Sequence, residues 1–464
     1  MKTYQDLRKL GEDEFNRMAF VRSCIHEHKA SELWHMADVA NDYYMQRNRT
    51  IMQFQKLLYT ITGRAVPDNY SSNWKMRSGD FHRIVVQEVE YSLGNGVVWQ
   101  DPDKGAMLGK NFDTILQKAA KEAIVGGVAF LFYNLDHVEL FSVREFAPLY
   151  DEENGALMAG IRFWQVSQDK PLRATLYEVD GYTDYIWRKD KGEILHDKRP
   201  YILYIKTSAA DGTEIYDFAN YPDFPIVPFW GNPEHQSAID GLREQIDCYD
   251  LIKSGFANDV DDASLIYWTV QNNGGMDDLS LVKFVERMKT VHAVNLEHGS
   301  SAEAHTIDLP YQSKEALLER LHKDLYRDAM ALDIENLASG AVTATQIQAG
   351  YEPLNQKCDH FEYCVLEAIE GLLRLAGIED ETPTFTRSKV VNAQEEIQTL
   401  VSAAEFLPAD YITERILNIL GDGDRAEQIL AQMTADEMDR LKLEEEPEEE
   451  EQPEEPEEPQ EGQE

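Results

Sequence analysis

Two long amphipathic helices that bracket an insert of about 50 residues constrain this chain more than any other feature. From Ser237 onward, Ile239, Leu242, Ile246, Tyr249, Ile252 and Phe256 recur at steps of three and four, which predicts one apolar stripe on a helix of about 26 residues. A second long helix is predicted from Ser313, with Leu317, Leu321, Leu325 and Leu332 along one side. Between them, residues 263–312 read as a short strand (LIYWTV), a loop (QNNGGMDD), a helix (LSLVKFVERMK) and a strand-like run (VHAVNL). Paired helices closing on their own insert argue against a simple helical scaffold.

Other elements frame this pair. Residues 14–60 read as helical, ended by Gly63 and Pro67. FHRIVVQEVEYSLGNGVVW predicts a helix closing at Leu93-Gly94-Asn95-Gly96, and residues 111–124 another, stopped by Gly126-Gly127. The texture then turns to period two. VAFLFYN, HVELFSV, AGIRFWQV, RATLYEV, DYIWRK and YILYIK predict one antiparallel meander of about six strands over 127–206. The proline-rich YPDFPIVPFWGNPE must be extended. A small-residue stretch, NLASGAVTATQIQAG, leads into a third long helix over 343–376, broken or kinked at Pro353 and stopped by Gly377. Smaller acidic helices follow over 391–440, with turns at Pro408 and GDGD. The fold class expected is α+β, mainly α.

The 464 residues carry 85 Asp and Glu against 44 Lys and Arg, a formal charge of −41. That field repels phosphate, so a basic nucleic-acid binder is excluded for the chain as a whole. Residues 444–464 hold 13 glutamates and no base, leaving a net −28 over residues 1–443. Lacking apolar side chains other than proline, this tail cannot offset its ordering entropy and is expected to be disordered. Cys24, Cys248, Cys358 and Cys364 do not suggest a disulfide framework in so long a chain. With no apolar signal region at the start and no run of 18 apolar residues, the expectation is a protein of a reducing cytoplasm that spans no membrane.

Motifs for catalysis are missing. LGKNF at 108–112 lacks the upstream glycine and the Ser or Thr of a P-loop, and no HExxH or GxSxG occurs. His26, Glu27, His28 and His35 read as the polar face of a helix, since nothing completes a tetrahedral set. Cys358, His360 and Cys364 form C-x-H-x3-C, but six helical residues turn ~600°, so the two thiols do not face together. Asp259, Asp261 and Asp262 lack the glycine and distal glutamate of a calcium loop and read as a solvated helix end. No enzyme, cofactor or metal is expected.

Several segments, in order, resemble the portal proteins of tailed bacteriophages of the siphovirus type. NDYYMQRNRTI resembles that family's Y-x-x-x-N-x-I element. FHRIVVQEVEYSLGNGVVW is similar to its F-x-x-x-V-x-x-x-x-x-Y-x-x-G-x-P-V, without the proline. GGVAFLFYN and FSVREFAPLYDEE resemble its strand pair and turn. The strongest likeness is FPIVPFWGNPEHQSAIDGLREQIDCYDLIKSGFANDVDD. There a proline-rich arm leads into a helix with Asp247, Tyr249, Asp250, Ser254, Asn258 and Asp259 at the matching places. The likeness covers about residues 30–380.

The resemblance implies a wing over 1–235, stem helices at 236–262 and 313–335, an α/β clip over 263–312, a tunnel loop and long wing helix over 336–385, and a helical crown over 386–443. It further implies a dodecameric ring at one capsid vertex of the virion. Double-stranded DNA would pass through it for packaging and ejection. Its implied partners are the terminase, the head-completion adaptor, and the major capsid and scaffolding proteins. Ser339, Gly340, Ala341 and Thr343 fall in the implied tunnel loop, where glycine permits changes of backbone state; the other reading is a plain helix-connecting loop. Lys253, Lys323 and Arg327 on the stem either hold phosphates loosely or make ion pairs between subunits. Two other readings are carried: an enzyme of the packaging machinery, nuclease or ATPase, and a non-ring scaffold or adaptor.

Overall fold

The computed structural model describes residues 2–433 apart from 12, 60–62, 69–70, 190, 209–213, 264–266, 272–282, 284–300, 306–310, 335–343, 388–392, 405, 421–425 and 427–428. It divides into two compact units, Met1–Ser388 and Lys389–Glu464.

The first unit opens with α1 (Tyr4–Lys9), α2 (Glu14–Lys29), α3 (Glu32–Tyr44) and α4 (Arg49–Gln53), then the hairpin β1 (Leu57–Tyr59) and β2 (Ala65–Pro67). The single helical run expected over 14–60 is therefore cut twice and ends at Gln53, with Leu57–Tyr59 in a strand instead. Ser31 ends one helix and caps the next, its hydroxyl accepting from Trp34 N at 3.2 Å, and Asn48 does the same for Ile51 N at 3.1 Å. Both are N-cap residue types whose signal hides inside a continuous amphipathic pattern.

Next come α5 (Asp80–Leu93), β3 (Val97–Val98), α6 (Pro102–Ala106) and α7 (Phe112–Gly126). They are followed by β4 (Val128–Asn134), β5 (His137–Ser142), β6 (Phe146–Tyr150), β7 (Leu157–Trp164), β8 (Leu172–Glu178), β9 (Gly181–Arg188), β10 (Lys191–Arg199), β11 (Ile202–Ser208), β12 (Glu214–Ala219) and β13 (Ile226–Trp230). The single meander expected over 127–206 is instead three sheets. β4 is the centre of a three-stranded sheet ordered β13-β4-β5. β6 to β10 form a five-stranded meander, and among the described residues β11 pairs only with β12. The residues explain this. Val128 to Tyr133 are all buried, a run covered on both faces rather than a period-two strand. Pro148 masks β6, and the exposed polar sequence of β10 masks that edge strand. The proline-rich arm is extended, as expected; Pro228 sits opposite Phe130 in β13, an edge strand, where the missing N–H costs no ladder bond.

Two cores result. The larger joins α3, α5 and α7 to the three-stranded sheet, with Phe81, Leu116, Phe130, Phe141 and Phe229 buried. The smaller seats α1 and α2 on one face of the meander through Leu7, Val21, Ile25, Ile161, Leu176 and Tyr185. His28 links the two regions. Its ring is 1% exposed, and Nε2 donates to the Val143 carbonyl at 2.7 Å.

The helix pair is α8 (Arg243–Ala263) and α9 (Tyr311–Asp328), with the antiparallel hairpin β14 (Tyr267–Gln271) and β15 (Ser301–His305) between them. Both helices are shorter than expected. α8 starts late because Gly241 takes φ +79° within the turns after Ser237. α9 stops early in a Schellman-type closure: Ala331 N donates to Tyr326 O at 2.9 Å and Met330 N to Arg327 O at 3.1 Å, with Met330 at φ +52°. The same closure ends α10 (Ala344–Ala376) at Gly377, where Ile378 N donates to Leu373 O at 2.9 Å. A glycine signals the second stop in the sequence; a methionine hides the first. α10 is one assigned helix through Pro353, and it packs on β13, where Gly371 lets Val227 approach: a Cβ there would meet Val227 Cγ1 at 2.8 Å. β16 (Thr384–Phe385) pairs with β3. The second unit contains α11 (Ala393–Ser402) and α12 (Ala409–Leu420), with Pro408 just before α12. Apart from residue 283, which is helical, the helix expected at 279–289 lies outside the described residues, as do the strand at 291–296, the GDGD turn and the acidic tail.

Burial holds the His28 imidazole below its ordinary 6.5, with the Val143 carbonyl partly opposing the shift. As pH falls through 6.5 the unfolded chain therefore takes up the proton first. The stabilisation by neutral His28 is full above that value and is lost below it. Thermal unfolding followed from neutral pH to about pH 5 should show this loss, and His28→Gln, which cannot titrate there, should flatten the slope.

Candidate functional site

α8 and α9 pack side by side. Gln245 Nε2 donates to Asp328 Oδ2 at 2.8 Å, Lys314 pairs with Asp259, and the Tyr249 and His322 rings lie 6.3 Å apart. On another face of α8, residues 247, 250, 254, 258 and 261 recur at steps of three and four, which keeps them on one side of the helix. This face is polar, and it binds backbone.

An extended segment, residues 72–78, runs antiparallel along it. Asp250 Oδ1 accepts from Ser78 N at 2.8 Å. Ser254 Oγ accepts from Met76 N at 2.9 Å and donates to Met76 O at 3.2 Å. Asn258 Oδ1 accepts from Trp74 N at 2.6 Å, and its Nδ2 donates to Trp74 O at 3.3 Å. Asp261 ends the ladder, accepting from the Ser72 hydroxyl and from Trp74 Nε1 at 3.3 Å. The helix side chains thus replace the neighbouring strand that an extended backbone otherwise needs.

The first turns of α8 are fixed to α3 and α4. Tyr43 Oη donates to Asp247 Oδ1 at 2.5 Å and Thr50 Oγ1 to Asp247 Oδ2 at 2.8 Å, while Asn48 Nδ2 donates to Asp250 Oδ2 at 2.8 Å. Asp250 is 1% exposed. Burial pushes its carboxyl above the usual range, and the donors Asn48 and Ser78 oppose that shift.

The three stem bases proposed from sequence are dispersed. Lys323 pairs with Glu319 at 2.6 Å, and Arg327 with Asp324 at 3.0 Å and Asp328 at 3.2 Å, all on their own helix. The Lys253 ammonium lies over the Tyr249 ring at 5.3 Å, in an open cleft of about 680 Å³ that also holds Arg77 and Arg83. Ser339, Gly340, Ala341 and Thr343 lie outside the described residues.

Other candidates take structural places. His28 is buried while His26 and His35 are exposed, which corrects the reading of one polar face. Cys358 and Cys364 are buried and His360 is exposed, so the three do not converge. Burial pushes the Cys24 and Cys358 thiols up to about 12. Asp259 and Asp261 are not simply solvated; one pairs with Lys314 and the other holds the extended segment. His322, which the sequence did not single out, lies between Asp80 at 3.9 Å and Asp333 at 3.8 Å, tying α9 to α5.

The ladder predicts an alternation. Amide exchange read at single-residue resolution should show Trp74, Met76 and Ser78 protected, with Asn73, Lys75 and Arg77 fast. Asn258→Ala should release Trp74 first and cost about 1–3 kcal/mol of stability, because it leaves the strand's donor and acceptor unpaired. Uniform protection along 73–78 would contradict the ladder. In thiol labelling of the single folded chain, exposed Cys248 should react and the other three should wait for unfolding.

Residues 23–451 match the family model described as phage portal protein, SPP1 Gp6-like. The chain is 24% identical over 371 residues to the portal protein of Clostridium phage phiCD119, covering 72% of this chain and 80% of that one. It is 23% identical over 399 residues to the portal protein of Bacillus phage SPP1, covering 77% and 75%. Among solved structures, it is similar at a TM-score of 0.40 and 11% identity to a chain in the neck of a native GTA particle computed with C12 symmetry, covering 72% of this chain and 89% of that one. With its family model spanning most of its length, this chain belongs to the SPP1 Gp6-like family of phage portal proteins.

Proposed function

We propose that the chain is the repeating subunit of a dodecameric ring that forms the DNA channel at one capsid vertex. It would serve genome packaging, retention and ejection, and dock the terminase and then the head-completion adaptor, with the capsid and scaffolding proteins around it. The carrying observation is the helix pair α8–α9 closing on an insert that contains the β14–β15 hairpin, in a member of the portal family. In this reading residues 1–235 are the wing, 236–262 and 313–335 the stem built on α8 and α9, 263–312 the clip, 336–385 the tunnel loop and the long wing helix α10, and 386–443 the crown.

The charge pattern supports a conduit rather than a binder. A formal −41 per chain repeats around the ring, facing a duplex with one charge per ~1.7 Å. Lys323 and Arg327 are neutralised by acids on their own helix, so little positive charge remains there to hold phosphate. A weak grip in both directions is what two-way passage requires. Residues 339–343 would supply the adjustable constriction, since Gly340 tolerates backbone states closed to other residues.

DNase-protected DNA in particles assembled with the cognate capsid proteins and terminase tests this. Deleting 339–343 should leave rings intact and reduce protected DNA to background. Lys253→Ala, Lys323→Ala and Arg327→Ala together should change the salt slope of DNA retention by less than about one contact each, since each full phosphate contact adds roughly 0.9 to that slope. Undiminished packaging by the deletion would contradict the constriction.

A further inference from the structure

Strands β8, β9 and β10 gather base at one end of the meander. α2 covers the face that bears Leu172, Leu176, Tyr185 and Trp187. Side chains alternate along a strand, so Arg173 and Arg188 stand on the other face, and Lys191, directly opposite Arg188, stands with them. The connection from β9 to β10 has two residues, and the first is Lys189. Lys170 lies in the loop that enters β8 at the same end.

These bases are not used up within the chain. Lys170 pairs with Asp169 and Arg188 with Glu193, both at 3.4 Å. Arg173, Lys189 and Lys191 are exposed and make no ion pair among the described residues. Setting Asp169, Asp190 and Glu193 against the five bases leaves this end two charges positive, in a chain whose formal charge is −41. Lys189 also holds its place at a cost. Its φ is +59°, in the left-handed region that a two-residue hairpin connection usually gives to Asn or Gly. Strain kept where a commoner residue would relieve it points to a use for the side chain.

We propose that this end of the meander, with Arg173, Arg188, Lys189 and Lys191, is a contact site for the phosphates of duplex DNA; the proposal rests on the reading above only for the duplex being at hand. Charge density favours nucleic acid over an acidic protein. An extended chain with glutamate at every position carries one charge per ~3.3 Å. The duplex carries one per ~1.7 Å, and its condensed counterions are released on contact. A small positive patch on a repelling chain gains most from the denser polyanion. The bases come from three neighbouring strands ~4.8 Å apart, so they reach more than one phosphate. On α9, Lys323 and Arg327 are neutralised by their own helix, so the phosphate contact falls to the sheet rather than to that helix.

Fluorescence anisotropy of a short labelled duplex of mixed sequence, titrated with the full-length protein across a salt series, tests this. Arg173→Ala, Lys189→Asn and Lys191→Ala together should weaken binding at low salt about tenfold or more and lower the salt slope by about 2–3, since each lost phosphate contact removes roughly 0.9. Lys189→Asn alone should lower the slope by about one. It should also keep or raise the melting temperature, because asparagine suits that turn, so its loss of binding is not a loss of fold. An unchanged slope in the triple variant would overturn the site. So would displacement of the duplex by polyglutamate at equal charge, because the partner would then be an acidic protein surface. Single chains and rings are both assayed: rings that bind no duplex strike the site alone, and binding by a protein that forms no ring strikes the ring reading alone.

Discussion

Helix α8 and the extended segment 72–78 meet through two backbone repeats that nearly coincide. Four helical residues rise ~6.0 Å, and two extended residues advance about 6.6–6.8 Å. Side chains at 250, 254 and 258 can therefore address the backbone at 78, 76 and 74 in turn, the small mismatch absorbed by unequal side-chain lengths. Every second peptide group of the segment is satisfied by the helix. α8 also holds α3 and α4 through Asp247 and Asp250, so one helix face orders three otherwise separate pieces of chain. Remove that face and the segment has no partner for its inward-facing groups.

The same helix divides the chemistry of its surroundings. Its ladder side is polar and consumed by structure. One flank, with α9, offers apolar surface rimmed by lysine, and the other a mixed polar cleft. On α9, Lys323 and Arg327 are balanced by acids within a turn of the same helix, and Lys314 by Asp259 of α8. Neutralisation of Lys323 and Arg327 is what the proposed channel wall would need if its cargo is to slide rather than bind tightly.

Parts of this were legible in the residues. The apolar stripes of α8 and α9 and the stop of α10 at Gly377 follow from periodicity and a glycine. The four-residue spacing of Asp250, Ser254 and Asn258 is also visible, but its meaning is not. The partners lie 172, 178 and 184 residues away, in a segment with no periodic pattern of its own. The division of the strands into three sheets was hidden because β4 is buried on both faces and β6 contains a proline. The early end of α9 was hidden because methionine takes the left-handed position that glycine usually announces. Residues 339–343 were named from a resemblance alone.

The central claim is that this chain works as one subunit of an axial DNA channel, and electron microscopy of the purified full-length protein tests it most directly. The account predicts closed rings of about twelve subunits, with paired helices standing around a channel wide enough for a duplex, as head-to-tail closure requires. A closed dimer with nuclease or ATP-hydrolysing activity would contradict it.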